Sequence, residues 1–398
     1  MIPVKRLPLP FCLNLFILFF SALSIIGCKG GNEKISKDKS AIKKIELPAP
    51  SPLSGEEKQR LEAACSLWYD SMLKPTAFNG GMLVAKGGNI IFEQYKGTAT
   101  LGGTDTINSN TPFHIASVSK TFTAMCVLKL SEDSLLNLDD AYSKYFPEFN
   151  YPGITVRTLL NHRSGLPNYL YFMEKLGYKD SAAISNRQIL DVLINQKNTL
   201  ENIGLPDRHF SYCNTNFALL ALLIEKVSGK SYPDFVRQQI FEPLGMQNSF
   251  VYTPADSQRI TPNYDWKGGR IPDNFLDKVY GDKNIYSTVR DLLKWDRALA
   301  SGLLFSKNSM EQAYTPYSNE KPGIRNYGLG WRMNIYDNGK KVVFHNGWWH
   351  GNNAAFIRLR DEDATIIVTG NRYSRNIYKA YQLVNSFGNY FKVMEIDE

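Results

Sequence analysis

The stretch Ser117-Val-Ser-Lys120 constrains this chain more than any other, because it stands where a strand gives way to a helix. Phe113 to Ala116 (FHIA) reads as extended, and Thr121 to Leu130 is an apolar run of helical character. A serine at a helix start with a lysine three residues on shares one helix face with it, and the two form a compact nucleophile and base. The free N–H groups and positive dipole end of such a helix favour charge developing beside the serine during acyl transfer. The same spacing recurs at Ser36, Ser40, Ser71 and Ser318, but none of these offers a buried helix start. Ser36 and Ser40 sit in a lysine-rich segment, Ser71 ends a helix at Pro75, and Ser318 lies in a polar loop before Pro322.

Two further elements follow in the order that a serine-lysine acyl-transfer site requires. Tyr212-Cys213-Asn214 precedes an apolar helix beginning near Phe217, and His345-Asn346-Gly347 closes the strand Val342 to Phe344. Tyr-x-Asn also occurs at Tyr317 and Tyr336, and Lys-x-Gly at Lys86, Lys175, Lys267 and Lys321, so the ordered set carries the information. On these residues the chain resembles the serine β-lactamase and penicillin-binding-protein family, in its class C, DD-peptidase and esterase branch. Leu159 to Pro167 (LLNHRSGLP), Pro243 to Met246 (PLGM), Tyr286 to Lys294 (YSTVRDLLK) and Tyr327 to Trp331 (YGLGW) extend the resemblance, which runs from about Gly55 to the C-terminus.

The resemblance implies roles. Ser117 is the nucleophile that becomes acylated, and Lys120, in a largely desolvated site, is pushed toward its neutral form and takes the serine proton. Tyr212 passes that proton to the leaving group, while Asn214 orients Lys120 and the substrate amide. The N–H groups of Ser117 and Trp348 form the oxyanion hole, and Gly347 lets the strand approach the substrate. His345 stands where many relatives have Lys. A histidine near its ordinary pKa of about 6.5 is mostly neutral at pH 7, and Asn346 replaces a hydroxyl, so carboxylate recognition by this triplet is expected to be weak. The Trp348 and Trp349 side chains are expected to narrow the cleft or stack on substrate. The order of activities implied is a D-amino-acid peptidase of DD-carboxypeptidase type, then a carboxylesterase, then a class C-like β-lactamase. The substrate is expected to be a small peptide, an ester or a peptidoglycan-derived molecule, with specificity set between Tyr169 and Asp207. A Gly-x-Ser-x-Gly elbow is absent, which leaves the α/β-hydrolase reading without its main feature. A non-catalytic peptidoglycan-binding or sensor domain is the rival from another class.

Other residues read blandly. Cys213 is expected to be a small apolar residue facing away from the site, and His162 a structural hydrogen-bonding group; His114 and His209 have no argued partner. With five histidines and no His-Glu-x-x-His, no metal and no cofactor is expected.

Lys5 and Arg6, the largely apolar run Phe11 to Ile26 and Gly27-Cys28 read as a lipoprotein signal over 1–27, with Cys28 as the lipidated N-terminus. The run is short of the ~20 apolar residues that span a bilayer. Lys29 after the cysteine points by resemblance to the outer membrane, so the expected location is the bacterial envelope, with the membrane as partner through lipid. Residues 28–54 read as a flexible tether ending in the proline-rich 48–52 (PAPSP), and residues 55–398 as the hydrolase domain. The leader carries two of the eight net positive charges and the tether three, so about +3 falls to the domain and nucleic acid is not an expected partner. Oligomeric state is not legible.

Element order gives the fold class, α/β of the α+β type. Ser54 to Glu57 caps a helix bearing Leu61, Cys65, Trp68 and Met72 on one face. Met82 to Ala85 and Asn89 to Tyr95 form a hairpin about Gly87-Gly88. Helical signals dominate from Ser117 to about Ala300, strands return from Trp331 to Thr369, and Ile377, Tyr381, Val384 and Phe391 mark a closing helix. The expectation is an antiparallel sheet from both chain ends, flanked by helices, with a mainly helical lobe inserted.

Overall fold

The computed structural model describes residues 44–180, 183–201 and 203–391. The expected signal, the lipidation residue Cys28 and residues 28–43 of the expected tether lie outside the described residues.

The first helix, α1 (Gly55–Met72), begins where Ser54 Oγ accepts the N–H of Glu57, and it buries Leu61, Cys65, Trp68 and Tyr69. Two strands follow, β1 (Gly80–Lys86) and β2 (Asn89–Lys96). Gly87 and Gly88 both take positive φ, 54° and 79°, which is the backbone a two-residue hairpin turn needs. A short strand β3 (Phe113–His114) leads through the single 3₁₀ turn Ala116–Val118 into α2 (Ser119–Glu132). The helical lobe continues with α3 (Val156–Leu160), α4 (Tyr169–Lys175), α5 (Asn186–Asn195), α6 (Asn214–Ser228) and α7 (Tyr232–Val236). Strands β4 (Phe250–Val251) and β5 (Ile285–Ser287) join β3 in a small three-stranded sheet ordered β3-β5-β4. Helices α8 (Val289–Ser301) and α9 (Lys307–Ala313) precede β6 (Arg325–Tyr327), β7 (Arg332–Ile335), β8 (Lys341–Trp349), β9 (Asn352–Leu359) and β10 (Ala364–Gly370).

The main sheet has the order β2-β1-β10-β9-β8-β7-β6, with every neighbouring pair antiparallel, so strands from the two ends of the chain meet at β1 and β10. Both its faces are covered, and β1 is accordingly apolar from Gly80 to Ala85 rather than alternating. Met82 and Val84 point to a core shared with Cys65, Trp68, Ile377 and Leu383, whereas Leu83 and Ala85 point to the core of the helical lobe with Phe122 and Trp295. The period of two along one strand therefore joins two cores.

Three features differ from the sequence expectation. His345-Asn346-Gly347 lies inside β8 rather than at its end, because pairing of β8 with β9 continues to Trp349 and the chain turns only at His350, at φ 51°. The closing helix, Arg375–Ser386, is 3₁₀ in form, with Ile377, Ala380, Leu383 and Val384 buried. The described part of the expected tether is docked. Ile45 and Leu47 pack on the helical core, the Ile45 N–H donates to the Pro243 carbonyl at 2.8 Å, and Ser51 N–H donates to the Gly87 carbonyl at 2.7 Å. Apolar side chains and backbone pairing thus outweigh the freedom that the Pro-rich composition suggested.

Candidate active site

Ser117 is presented by strained backbone. Ala116 before it has φ 49°, a left-handed conformation that costs a non-glycine residue of order 1 kcal/mol and that persists only when its surroundings hold it. The buried His114 does so: its Nδ1 accepts the Ala116 N–H at 3.1 Å, and its Nε2 donates to Asn284 Oδ1 at 3.0 Å. Asn284 Nδ2 donates to the Asp277 and Val279 carbonyls, which leaves Oδ1 as the acceptor and fixes the His114 tautomer. Burial holds the His114 pKa down to about 4, so the ring stays neutral. Sequence reasoning found no partner for His114, because its partner lies 170 residues away on the loop before β5.

Lys120, fully buried, lies one turn on, and its Nζ is 3.1 Å from Ser117 Oγ and 2.7 Å from the Asp282 carbonyl. The Tyr212 ring lies over the same ammonium, 5.1 Å from Nζ to centroid. Asn214 opens α6 on the cleft wall but is not a hydrogen-bond partner of Lys120; the Asp282 carbonyl takes the orienting place expected of it. The loop carrying Tyr212 is fixed by His162, whose Nδ1 accepts the Cys213 N–H at 3.1 Å and whose ring packs 4.4 Å from that of Tyr212. The buried Cys213 thiol donates to the carbonyls of Leu166 and Pro167, and burial raises its pKa, so it is not a reactive thiolate.

On the opposite wall, Gly347 touches the turn that presents Ser117. A Cβ there would lie 2.2 Å from the Ile115 carbonyl oxygen and 3.1 Å from Ala116 Cβ. The glycine therefore lets β8 approach residues 115–116 as well as the cleft, and its carbonyl accepts from Tyr378 Oη at 2.9 Å. Asn346 and Trp348 line the cleft, Trp348 being 62 % exposed at the rim. Trp349 is half-buried and donates to Asp277 Oδ1 at 2.6 Å.

His345 is fully buried behind Tyr212 and does not line the cleft. Its Nε2 pairs with Tyr327 Oη at 3.2 Å, and burial, Arg332 and Lys120 hold its pKa well below 6.5. The positive charge on this wall belongs instead to Arg332, which the sequence reading missed. The register of β7 on β8 sets Arg332 opposite Phe344, next to His345, and brings its guanidinium 4.8 Å from the centroid of the Tyr212 ring. Among the described residues lining the cleft, the cations Lys175 and Lys283 are paired with Glu201 and Asp282, the His350 ring bonds to Asp277, and Arg332 has no carboxylate partner. Only its place directly after the YGLGW stretch could have signalled it.

These residues surround a cleft of about 1180 Å³ whose apolar side is built by Leu166, Leu170, Phe172, Leu176 and Leu200. That side falls largely within the Tyr169–Asp207 region where specificity was expected. Among the described residues, no cluster of three or more His, Cys, Asp or Glu could hold a metal ion.

The fold and the cleft define an enzyme of the serine-hydrolase class. The chain belongs to the β-lactamase family, whose model matches residues 74–383. It is 32 % identical over 364 residues to penicillin-binding protein 4* of Bacillus subtilis, a match covering 85 % of this chain and 79 % of that one. Among solved structures it resembles the octameric penicillin-binding protein homologue from Pyrococcus abyssi (TM-score 0.69, 24 % identity, 82 % of this chain and 76 % of that one). It also resembles a D-stereospecific amidohydrolase from Streptomyces sp. (TM-score 0.62, 25 % identity, 83 % and 98 %).

Proposed function

We propose that this hydrolase cleaves D-amino-acid amide bonds next to a free carboxylate, as a DD-carboxypeptidase does, through an acyl-enzyme on Ser117. The unpaired Arg332 guanidinium beside Tyr212 is the observation that carries the substrate class, since a fixed planar cation at the leaving-group side suits a carboxylate. Lys120 in its neutral form takes the Ser117 proton as Oγ attacks the carbonyl carbon. The oxyanion is held by the N–H groups of Ser117 and Trp348. The proton passes by way of Tyr212 to the leaving amine as the C–N bond breaks, and water then repeats the sequence to release the acid. Asn214 and Asn346 hold the substrate amide, and neutral His345 supports Tyr212 from behind. The D-stereospecific amidohydrolase relative supports the same substrate class. The apolar wall from Leu166 to Leu200 supports a second reading, esterase action on an apolar acyl group. Attachment to the envelope through Cys28 is part of the proposal.

Arg332→Met is expected to lower kcat/KM for a D-alanyl-D-alanine peptide about 10 to 100-fold, the range of a charge-assisted hydrogen bond pair. Hydrolysis of a neutral p-nitrophenyl ester should change far less. Steady-state kinetics on both substrates reads the ratio, and equal losses would remove Arg332 from carboxylate binding.

A further inference from the structure

Beside Lys120 lies a second lysine that the reaction sketched above does not use. Lys283 is 2 % exposed, as is Asp282, and its Nζ is 3.6 Å from Asp282 Oδ2. It donates to Tyr169 Oη, which in turn donates to Asp282 Oδ2 at 2.9 Å. Its ammonium lies 4.6 Å from the centroid of the Trp349 ring and 5.0 Å from that of Tyr169. Asp282 Oδ1 has no hydrogen-bond partner among the described residues, while the main-chain carbonyl of the same residue accepts from Lys120.

A buried carboxylate requires a cation. Asp282 has a lysine at each of its two acceptors, Lys283 at the carboxylate and Lys120 at the main-chain carbonyl, and only Lys120, beside Ser117, can serve as the base. The geometry points to Lys283 as a positioning residue that neutralises the Asp282 carboxylate, so that Asp282 holds Lys120 through its carbonyl oxygen alone. Without Lys283, the demand of the carboxylate, with a free acceptor at Oδ1, falls on Lys120 and keeps it protonated.

Among the described residues, the other groups around Lys120 offer no substitute anion. Arg332 is a second cation, burial keeps His162 and His345 neutral, and the buried Cys213 thiol has a raised pKa. Tyr212 faces Lys120 with its ring. On the side of the pair, burial holds Tyr169 and Tyr232 as neutral phenols. Asp277, the remaining carboxylate there, is already engaged by Trp349 and by His350 at 3.0 Å. The protonation of Lys120 therefore depends on how Asp282 is paired.

This inference rests on the Ser117–Lys120 reading of the site. Its test is the rate at which a fluorophosphonate labels Ser117 in the full-length protein between pH 5 and 10. In Lys283→Met the pH midpoint of labelling is expected to rise by about one unit, with a loss of about tenfold at pH 7, the lower end of the effect of a neighbouring opposite charge. Asp282→Asn combined with Lys283→Met should return the midpoint to the wild-type value, and Lys283→Arg should leave it in place. Lys283→Gln, which keeps a donor for Tyr169 without the charge, carries the same expectation should the methionine variant not fold. Profiles of the single variants that overlay the wild type, or a double variant that stays shifted, would overturn the role of Lys283. No labelling of wild-type Ser117 at any pH would instead overturn the site reading itself.

Discussion

Ser117→Ala is expected to lower amide and ester hydrolysis by at least about 10⁴-fold, the scale on which removal of a nucleophile acts in serine hydrolases. The fold should survive, because the half-exposed serine side chain contributes one hydrogen bond, to Lys120. Fluorophosphonate labelling should vanish with the activity, while the thermal unfolding midpoint stays within a few degrees of the wild type. Lys120→Met should cost about 10² to 10⁴-fold, the range of a general base. Its loss should appear in kcat, since Lys120 is fully buried beneath Ser117 and is not placed to bind substrate by itself. Labelling that persists in Ser117→Ala would remove that residue from its role.

Acid should destabilise the folded protein before the carboxylates titrate in bulk. His114, His162 and His345 are all buried with depressed pKa values, so the fold holds them neutral. The unfolded chain protonates them below about pH 6.5. Their contribution is thus complete above pH 6.5 and declines as the pH falls below it, that of His114 being lost by about pH 4. For His114 alone, the gap between 6.5 and about 4, at roughly 1.4 kcal/mol per pH unit, is worth about 3.5 kcal/mol. The other two add in the same direction. Urea unfolding at pH 7.5 and 4.5 measures the sum, and in His114→Gln the difference between the two pH values should shrink by about 2 to 3 kcal/mol. An unchanged difference in that variant would mean that His114 is not held neutral.

The same three histidines mark what the sequence could and could not reveal. Ser117-x-x-Lys120 is a local signal: spacing within one helical turn fixes the contact, and the hydrogen bond follows. The hairpin at Gly87-Gly88 and the cap at Ser54 are local in the same sense. Arg332, His114 and the Asp282–Lys283 pair act through long-range register. Arg332 meets Tyr212 only because β7 pairs with β8 in one alignment, and His114 acts only because Asn284 returns beside it. His345 was legible as a residue of the triplet, but its burial behind Tyr212 depends on the packing of Tyr327 and Arg332 around it. The docking of residues 45–51 was hidden for a different reason, since proline-rich composition reports the freedom of a segment and not the surface waiting for it.

The central claim, that this cleft works through an acyl-enzyme on Ser117, is tested most directly by intact-protein mass spectrometry after rapid acid quench, followed by peptide mapping. The protein is mixed in turn with a D-alanyl-D-alanine peptide, a short-chain ester and a β-lactam. An adduct of the acyl mass is expected on the peptide containing Ser117 with the first two substrates, absent from Ser117→Ala. Turnover of either substrate with the adduct on another residue, or an adduct that persists in Ser117→Ala, would contradict it.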